Sequence, residues 1–142
     1  MPRLGTDDAR RRFTAARVAR LATVRADGSP HVVPVVMAVE GARVYTVVDA
    51  KPKATPRLQR LWNVEANSAV SLLVDHYDED WDAIWWVRAD GQARVVETGA
   101  ERDRALDLLL EKYPQDAGTP RDAYGAALLV DVARWVGWTA TT

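Results

Sequence analysis

The chain has 142 residues, of which 48% are hydrophobic, so it is long enough for one domain with a hydrophobic core and too short for two domains of ordinary size. Its 19 basic and 20 acidic side chains leave a net charge of -1, which argues against general electrostatic attraction to nucleic acid or to an anionic membrane. Cysteine is absent, which excludes disulfides, thiolate zinc sites and cysteine nucleophiles. Without an apolar signal segment or a run of roughly 20 apolar residues, we predict a soluble, cytoplasmic protein with a single domain over residues 1–142.

The N-terminal part of the chain predicts one helix followed by hairpins. Thr6 is an N-cap candidate followed by two acidic residues, so we expect a helix that continues to about Ala19. The run that follows is rich in β-branched residues and is interrupted at Asp27-Gly28 and at Glu40-Gly41, which are hairpin turn signals. This pattern predicts three consecutive antiparallel strands in a meander.

The remainder of the chain predicts two further helices and more strands. Thr55-Pro56 indicates the start of a helix that ends near Asn67. The other predicted elements are a strand over residues 69–78, a hairpin or one long bent strand around Asp90-Gly91, a helix over residues 101–114 and a last strand over residues 125–138. Six or seven strands with peripheral helices and no βαβ alternation predict a mainly β (α+β) fold built on a closed or nearly closed antiparallel barrel.

Few residues of this chain are candidates for metal binding or for nucleophilic catalysis. Two histidines, His31 and His76, are too few for a histidine metal site unless carboxylates complete it. Residues 75–80 hold four acidic side chains and His76, but we interpret them as a solvated loop because the segment has no turn glycine. No serine lies in a nucleophile-elbow pattern. We therefore expect neither a metal nor a catalytic side chain, although His31 is a candidate proton donor.

A short basic segment follows the third predicted strand. Lys51 and Lys53 alternate in an extended stretch, so both ammonium groups can meet one anion. Arg57 and the start of the next helix can add to the same site, since helix N-termini attract anions. The pattern indicates a phosphate or polycarboxylate site, while the alternative that the lysines beside Pro52 only solubilise a loop stays open.

The order of these elements resembles the pyridoxamine 5'-phosphate oxidase-like superfamily of flavin-binding split β-barrels. The resemblance is carried by the segments PHVVPVVMAV, RVYTVVDAKPK, NVEANSAVSLLV and GQARVV, which follow one another over nearly the whole chain. The segments RLATVRADGSPHVVPV and AKPK are most similar to the branch of deazaflavin-dependent oxidoreductases, which use coenzyme F420 rather than flavin mononucleotide (FMN). The resemblance implies a split antiparallel β-barrel of six to seven strands with peripheral helices, and a cofactor held at a homodimer interface.

The resemblance also implies where the cofactor contacts this chain. One strand lies along the cofactor ring mainly through its backbone, a second flanks the ring, the basic turn binds the phosphate, and the strand around Trp86 comes from the second subunit. Together with the basic segment, this gives the expected cofactor-binding residues His31, Val32, Val33, Pro34, Val35, Val36, Thr46, Val47, Val48, Lys51, Lys53, Arg57 and Trp86. The chain has six tryptophans, and Trp85 and Trp86 are expected to face opposite sides of their strand because they are neighbours.

The expected function is that of an oxidoreductase in which F420 transfers a hydride to or from a small organic substrate. In such an enzyme the cofactor carries the chemistry, which agrees with the lack of an evident acid–base pair. Two alternatives stay open: an FMN-dependent enzyme of the pyridoxamine 5'-phosphate oxidase type, or a non-catalytic protein that binds a flavin, a deazaflavin or haem. Nucleic-acid binding and membrane binding are not expected.

Overall fold

A computed structural model describes residues 2–49 and 57–141. Within these ranges the chain forms three helices and eight strands. The helices are α1 (Thr6–Ala15), α2 (Gln59–Ala66) and α3 (Ala100–Lys112). The strands are β1 (Arg3–Leu4), β2 (Ala19–Val24), β3 (Pro30–Val35), β4 (Ala38–Glu40), β5 (Arg43–Val47), β6 (Ala69–His76), β7 (Trp85–Val96) and β8 (Ala127–Thr139). No helix in these ranges is long and apolar enough to cross a membrane.

All strand pairs are antiparallel and belong to one sheet. The strand order is β3-β2-β6-β7-β8-β5-β4, with β1 beside β8. The two outermost strands, β3 and β4, are consecutive in the chain and are separated only by Val36 and Met37, so the two edges of the sheet are brought together. Thr46 Oγ1 on β5 donates to the Val36 carbonyl oxygen at 2.9 Å, which holds the connection between the two edge strands against β5. The predicted mainly β, split-barrel class is confirmed, with eight strands instead of six or seven.

The predicted three-strand meander is wrong in its middle strand. The hairpin at Asp27-Gly28 joins β2 to β3, and the turn at Glu40-Gly41 joins β4 to β5, but β3 and β4 lie at opposite ends of the strand order. The run breaks at Met37, whose carbonyl oxygen accepts hydrogen bonds from Lys112 Nζ at 2.9 Å and from Tyr113 Oη at 3.1 Å. Because these side chains of α3 and its C-cap hydrogen-bond to the Met37 carbonyl oxygen, that oxygen does not pair with a neighbouring strand.

Three predicted helix boundaries need correction. The first helix ends at Ala15, not near Ala19, because Ala19 already pairs with Val35 at the start of β2 and is fully buried there. The N-cap of α1 is Gly5, not Thr6. The second helix begins at Gln59 with Leu58 extended before it, so a start at Thr55-Pro56, itself outside the described residues, is too early. Its predicted end at Asn67 is confirmed.

The helices cover the barrel on three sides. Phe13 of α1 and Leu61 of α2 join the main core, in which Leu21 and Leu72 are fully buried. Leu106 of α3 belongs to a second apolar cluster against β5 and β8. Burial of side chains of this size stabilises the fold by about 2 kcal/mol each. α2 and α3 thereby take fixed positions beside β3 and β5, where the candidate site lies.

Asn63 fastens α2 to the barrel. Its side chain is 1% exposed, donates through Nδ2 to Thr23 Oγ1 at 2.9 Å and accepts from Gln59 Nε2 at 2.7 Å. A fully buried amide is stable only with such partners, because an unpaired one costs about 1–3 kcal/mol. This anchoring sets the position of Arg60, one helical turn before Asn63 on α2.

Candidate functional site

Two cavities lie beside β3. The first, here the β3–β5 cavity, has a volume of about 420 Å³ and is enclosed by β3, β5, the start of α2 and the segment after α3. The second, here the tryptophan cavity, has a volume of about 550 Å³ and lies on the outward face of β2, β6 and β7. Both volumes fall within the range of roughly 300–1,000 Å³ that is typical of small-molecule sites.

The β3–β5 cavity gathers five of the residues that the sequence predicts to bind a cofactor. These are Pro34, Val35, Val36, Thr46 and Val47. All are apolar or β-branched, so they form a smooth wall suited to a flat ring. Among the described strands, β3 is the last in the sheet order and pairs with β2 on one side only. Unpaired backbone groups at such an edge can hydrogen-bond to a ligand.

Arg60 brings a positive charge into the β3–β5 cavity. Its side chain is half-buried, and burial lowers its pKa while the Asp49 carboxylate partly opposes this shift. Among the described residues, no hydrogen bond or close ion pair holds the Arg60 guanidinium. A desolvated guanidinium without a tight protein partner can bind an anionic group of a ligand. Asp49 and Asp116 also border the cavity, so its described charges include both signs.

Other predicted cofactor-binding residues face elsewhere. Val33 is half-buried and packs against the main core, and Val48 exchanges backbone hydrogen bonds with the segment before β8. Burial, with the charges of Arg25 and Arg60, lowers the pKa of His31, so its imidazole is neutral at neutral pH. Its Nδ1 is buried and has no hydrogen-bond partner within the described residues.

The basic segment is described only at its C-terminal end. Lys51 and Lys53 lie outside the described residues, so their predicted phosphate contact is not addressed by the structure. Arg57 is described: it pairs with Glu65, lies 3.6 Å from Glu97 and stacks over the Trp62 ring at 4.5 Å. These partners raise its pKa, the Glu65 hydrogen bond most of all. The positive charge of Arg57 is therefore already paired with carboxylates, and Arg57 does not line the β3–β5 cavity.

Val32 and Trp86, also predicted to bind the cofactor, line the tryptophan cavity. Trp85 lines it too, while also packing against the main core and stacking on His76 with 6.2 Å between ring centroids. The remaining apolar walls are Leu73, Tyr77 and Ile84. The cavity is therefore largely aromatic and apolar.

The two cavities adjoin along the outward face of the sheet. Val32 and Pro34 on β3, and Val36 directly after it, are exposed and alternate with half-buried or buried residues, so their side chains share one face. Val32 lines the tryptophan cavity, whereas Pro34 and Val36 line the β3–β5 cavity. Residues two apart on a strand are separated by about 7 Å. Ligands in the two cavities could therefore touch.

Some residues of the β3–β5 cavity escaped sequence reasoning. Tyr113, Gln115 and Asp116 come from the end of α3 and the segment after it. Tyr113 Oη lies 3.0 Å from the Arg17 carbonyl oxygen, and burial raises the pKa of its hydroxyl. No motif marks this segment, because its place at the cavity depends on how α3 packs on β5.

The acidic segment between β6 and β7 does not form a metal centre. Asp78 and Asp80 accept hydrogen bonds from backbone N–H groups two residues further on, as expected of turn residues. Among the described residues no cluster of histidine and acidic side chains could hold a metal ion. The interpretation as a loop is right for residues 77–80 and wrong for Asp75 and His76, which belong to β6 and pair with β7.

The fold is thus a split antiparallel β-barrel with a cavity of mixed polarity beside its edge strand β3. Residues 6–139 match the family model described as pyridoxamine 5'-phosphate oxidase. The chain therefore belongs to the pyridoxamine 5'-phosphate oxidase family. No curated protein matches the sequence significantly.

Solved structures share this fold at low sequence identity. The conserved hypothetical protein Rv2991 from Mycobacterium tuberculosis has a TM-score of 0.76 and 21% identity, over 96% of this chain and 86% of that chain. An FAD-binding protein from Mesorhizobium loti has a TM-score of 0.66 and 23% identity, over 96% and 95% of the two chains. A heme-binding protein from Mycobacterium smegmatis has a TM-score of 0.70 and 17% identity, over 95% of this chain and 57% of that chain.

Proposed function

We propose that this protein is an oxidoreductase that binds coenzyme F420 in the β3–β5 cavity, as a homodimer with the cofactor at the subunit interface. The observation that carries the proposal is the meeting of the apolar β3 and β5 walls with the half-buried Arg60 guanidinium in one cavity. F420 combines a flat ring system with a phosphate and a carboxylate-bearing tail. The apolar walls suit the ring, and the Arg60 guanidinium suits the anionic groups.

The residues present fit such a cofactor. Pro34, Val36 and Val47 offer apolar surface to a ring, and the free edge of β3 offers backbone groups to the heteroatoms at its rim. Arg60 would hold an anionic group of the cofactor, and we propose that Lys51 and Lys53, which follow Asp49 closely in the sequence, supply further positive charge. When bound, F420 supplies hydride transfer at a ring carbon.

The protein's own part in the reaction is binding and orientation. The apolar walls exclude water from the reacting face, which strengthens every electrostatic contact in the site. Backbone N–H groups on the side of β3 that faces away from β2 would favour negative charge on a bound ring. His31, neutral at neutral pH, lies on the inward side of β3, and we assign it no proton transfer.

A flavin is the second candidate for the same cavity. It is favoured by the likeness to the FAD-binding protein from M. loti, although 23% identity establishes only the fold. FMN and FAD also join a flat tricyclic ring to phosphate, so the same residues would hold them. Affinity, and not fold, separates these cofactors.

The proposal is tested by titrating the purified protein with F420, FMN and FAD while tryptophan fluorescence is recorded. We expect F420 to bind most tightly. Arg60→Met should weaken F420 binding by roughly 10- to 100-fold, because a hydrogen bond to a charged group contributes about 1.5–3 kcal/mol. Arg60→Lys, which keeps the charge, should recover part of this loss.

Two further variants complete the test. Arg57→Met removes a charge near the same helix end, and we expect less than about a threefold effect because Arg57 is paired with Glu65 and Glu97. The double variant Lys51→Ala and Lys53→Ala should weaken F420 binding. If FMN or FAD binds more tightly than F420, the cofactor is a flavin and not F420. Equal F420 binding by wild type and Arg60→Met would refute the assignment of the cofactor to this cavity.

A further inference from the structure

The tryptophan cavity contains the guanidinium of Arg88, which is held through its Nε and has further donors without a partner among the described residues. Arg88 Nε donates to Asp90 Oδ1 at 2.8 Å, and the Arg88 guanidinium carbon lies 6.0 Å from the centroid of the Trp86 ring. Among the described residues, the two terminal amino groups of Arg88 have no hydrogen-bond partner. They form the planar fork that binds carboxylates through two parallel hydrogen bonds.

Asp90 holds Arg88 without cancelling the positive charge around it. The Asp90 carboxylate also accepts from Arg134 Nη2 at 2.9 Å and from Ser71 Oγ at 2.7 Å. Burial by itself would raise the pKa of Asp90, but the hydrogen bonds from Arg88, Ser71 and Arg134 outweigh it and keep the carboxyl ionised. One carboxylate thus serves two guanidinium groups, which leaves net positive charge at this end of the cavity.

The other charges on the cavity wall do not cancel this excess. Arg20 and Asp75 face each other across neighbouring strands at 4.0 Å, a loose and exposed pair of opposite charges. The register explains the layout: Leu73 pairs with both Arg20 and Arg88, and Asp75 pairs with Trp86, so all of them share the outward face. Among the described residues the cavity therefore combines aromatic walls with the Arg88 fork, which has no partner at its terminal amino groups, and with Arg20, which faces Asp75.

We propose that the tryptophan cavity is the substrate site, and that it takes a flat, largely apolar molecule bearing a carboxylate, which Arg88 binds while the ring of the molecule lies against Trp86. The substrate role rests on the proposed function, since it requires a redox cofactor in the adjoining β3–β5 cavity. The alternation of Val32 and Pro34 on β3 places such a substrate next to that cofactor. Asp90 acts as a positioning residue that fixes the Arg88 fork.

The test compares two probes with the same ring, 2-naphthoate and 2-naphthylmethanol, by isothermal titration calorimetry. Wild type should bind the carboxylate more tightly than the alcohol. Arg88→Met should lower the affinity for 2-naphthoate about tenfold and leave that for 2-naphthylmethanol unchanged. Arg134→Met is the matched control: it removes a positive charge from the same Asp90 carboxylate but no group from the cavity wall, so it should weaken 2-naphthoate binding by less than about threefold and leave 2-naphthylmethanol binding unchanged.

Several results would overturn the proposal. These are no binding of either probe, equal 2-naphthoate binding by wild type and Arg88→Met, or an equal loss in Arg134→Met. A loss of 2-naphthoate binding as protein concentration rises would mean that a second copy covers the cavity, which also overturns it. Arg88→Met should bind F420 like wild type. If 2-naphthoate binds normally but F420 does not bind, both the proposed function and the substrate role are refuted. Only the claim that the cavity binds flat aromatic carboxylates would then stand.

Discussion

The His31 side chain lies in a cationic and partly buried environment. Burial, Arg25 and Arg60 all lower its pKa below the ordinary value of 6.5. The unfolded chain therefore takes up a proton at a higher pH than the folded chain does. As pH falls through the range below 6.5, this difference favours unfolding, so the contribution of His31 to stability is lost on the acid side.

We predict that His31→Gln reduces the acid sensitivity of the protein. The drop in the urea midpoint between about pH 7.5 and about pH 5.5 should be smaller in the variant than in wild type, because glutamine does not titrate. His76→Gln, which removes the other histidine, is the control for the substitution itself. A drop in His31→Gln as large as that of wild type would show that the imidazole is not held in its neutral form.

At the scale of elements, the pairing of β7 with β8 gives the barrel its bend. The register changes at Asp90-Gly91: Asp90 pairs with Arg134 and Gly91 pairs with Val132, so one extra residue on β8 forms a bulge. Of the two sequence alternatives for this region, the long bent strand is confirmed and the hairpin is not. The bulge requires glycine, since a Cβ at position 91 would lie 2.2 Å from the Asp131 carbonyl oxygen.

We predict that Gly91→Ala lowers the free energy of unfolding by about 3 kcal/mol, as expected when a backbone contact is overpacked. Gly118→Ala is a matched control, because a Cβ there meets no atom within 4 Å, and its effect should stay within about 0.5 kcal/mol. Urea denaturation of both variants measures the difference. Equal stabilities of the two variants would mean that the β7 and β8 backbones do not approach each other as closely as described.

The elements also explain which parts of the fold were predictable from sequence. Alternating β-branched residues and glycine turns identify β2, β5 and β6 because those signals are local. The break at Met37 is not local, since it depends on Lys112 and Tyr113, which are 75 and 76 residues away in the chain. A continuous apolar run such as VVPVVMAV has no period that reveals such a break.

At the scale of the whole molecule, the candidate site was predictable only where it lies on strands. The residues of β3 and β5 at the cavity follow from their position in the family pattern, and the structure places Pro34, Val36 and Thr46 together. Tyr113 and Gln115 belong to a segment that is distant in the chain, and they line the same cavity only because of how α3 packs on the barrel. The division of outward-facing residues between two cavities likewise depends on strand register, which one sequence does not specify.

The outward face of β2, β3 and β6 is also where the proposed dimer would form. It exposes Val32, Leu73 and Tyr77, large apolar side chains that are 59%, 38% and 65% exposed. Apolar surface grouped in this way is common at protein interfaces and ligand sites. In the proposed dimer, the second subunit would border both cavities from this face.

The most direct test of this account is sedimentation velocity of the protein mixed with F420, recorded at the visible absorption band of the cofactor. We predict that F420 sediments with a species of about twice the chain mass of 15.8 kDa, and that most of the cofactor stays unsedimented with Arg60→Met. Cofactor that stays unsedimented with wild type, or that sediments equally with Arg60→Met, would contradict it.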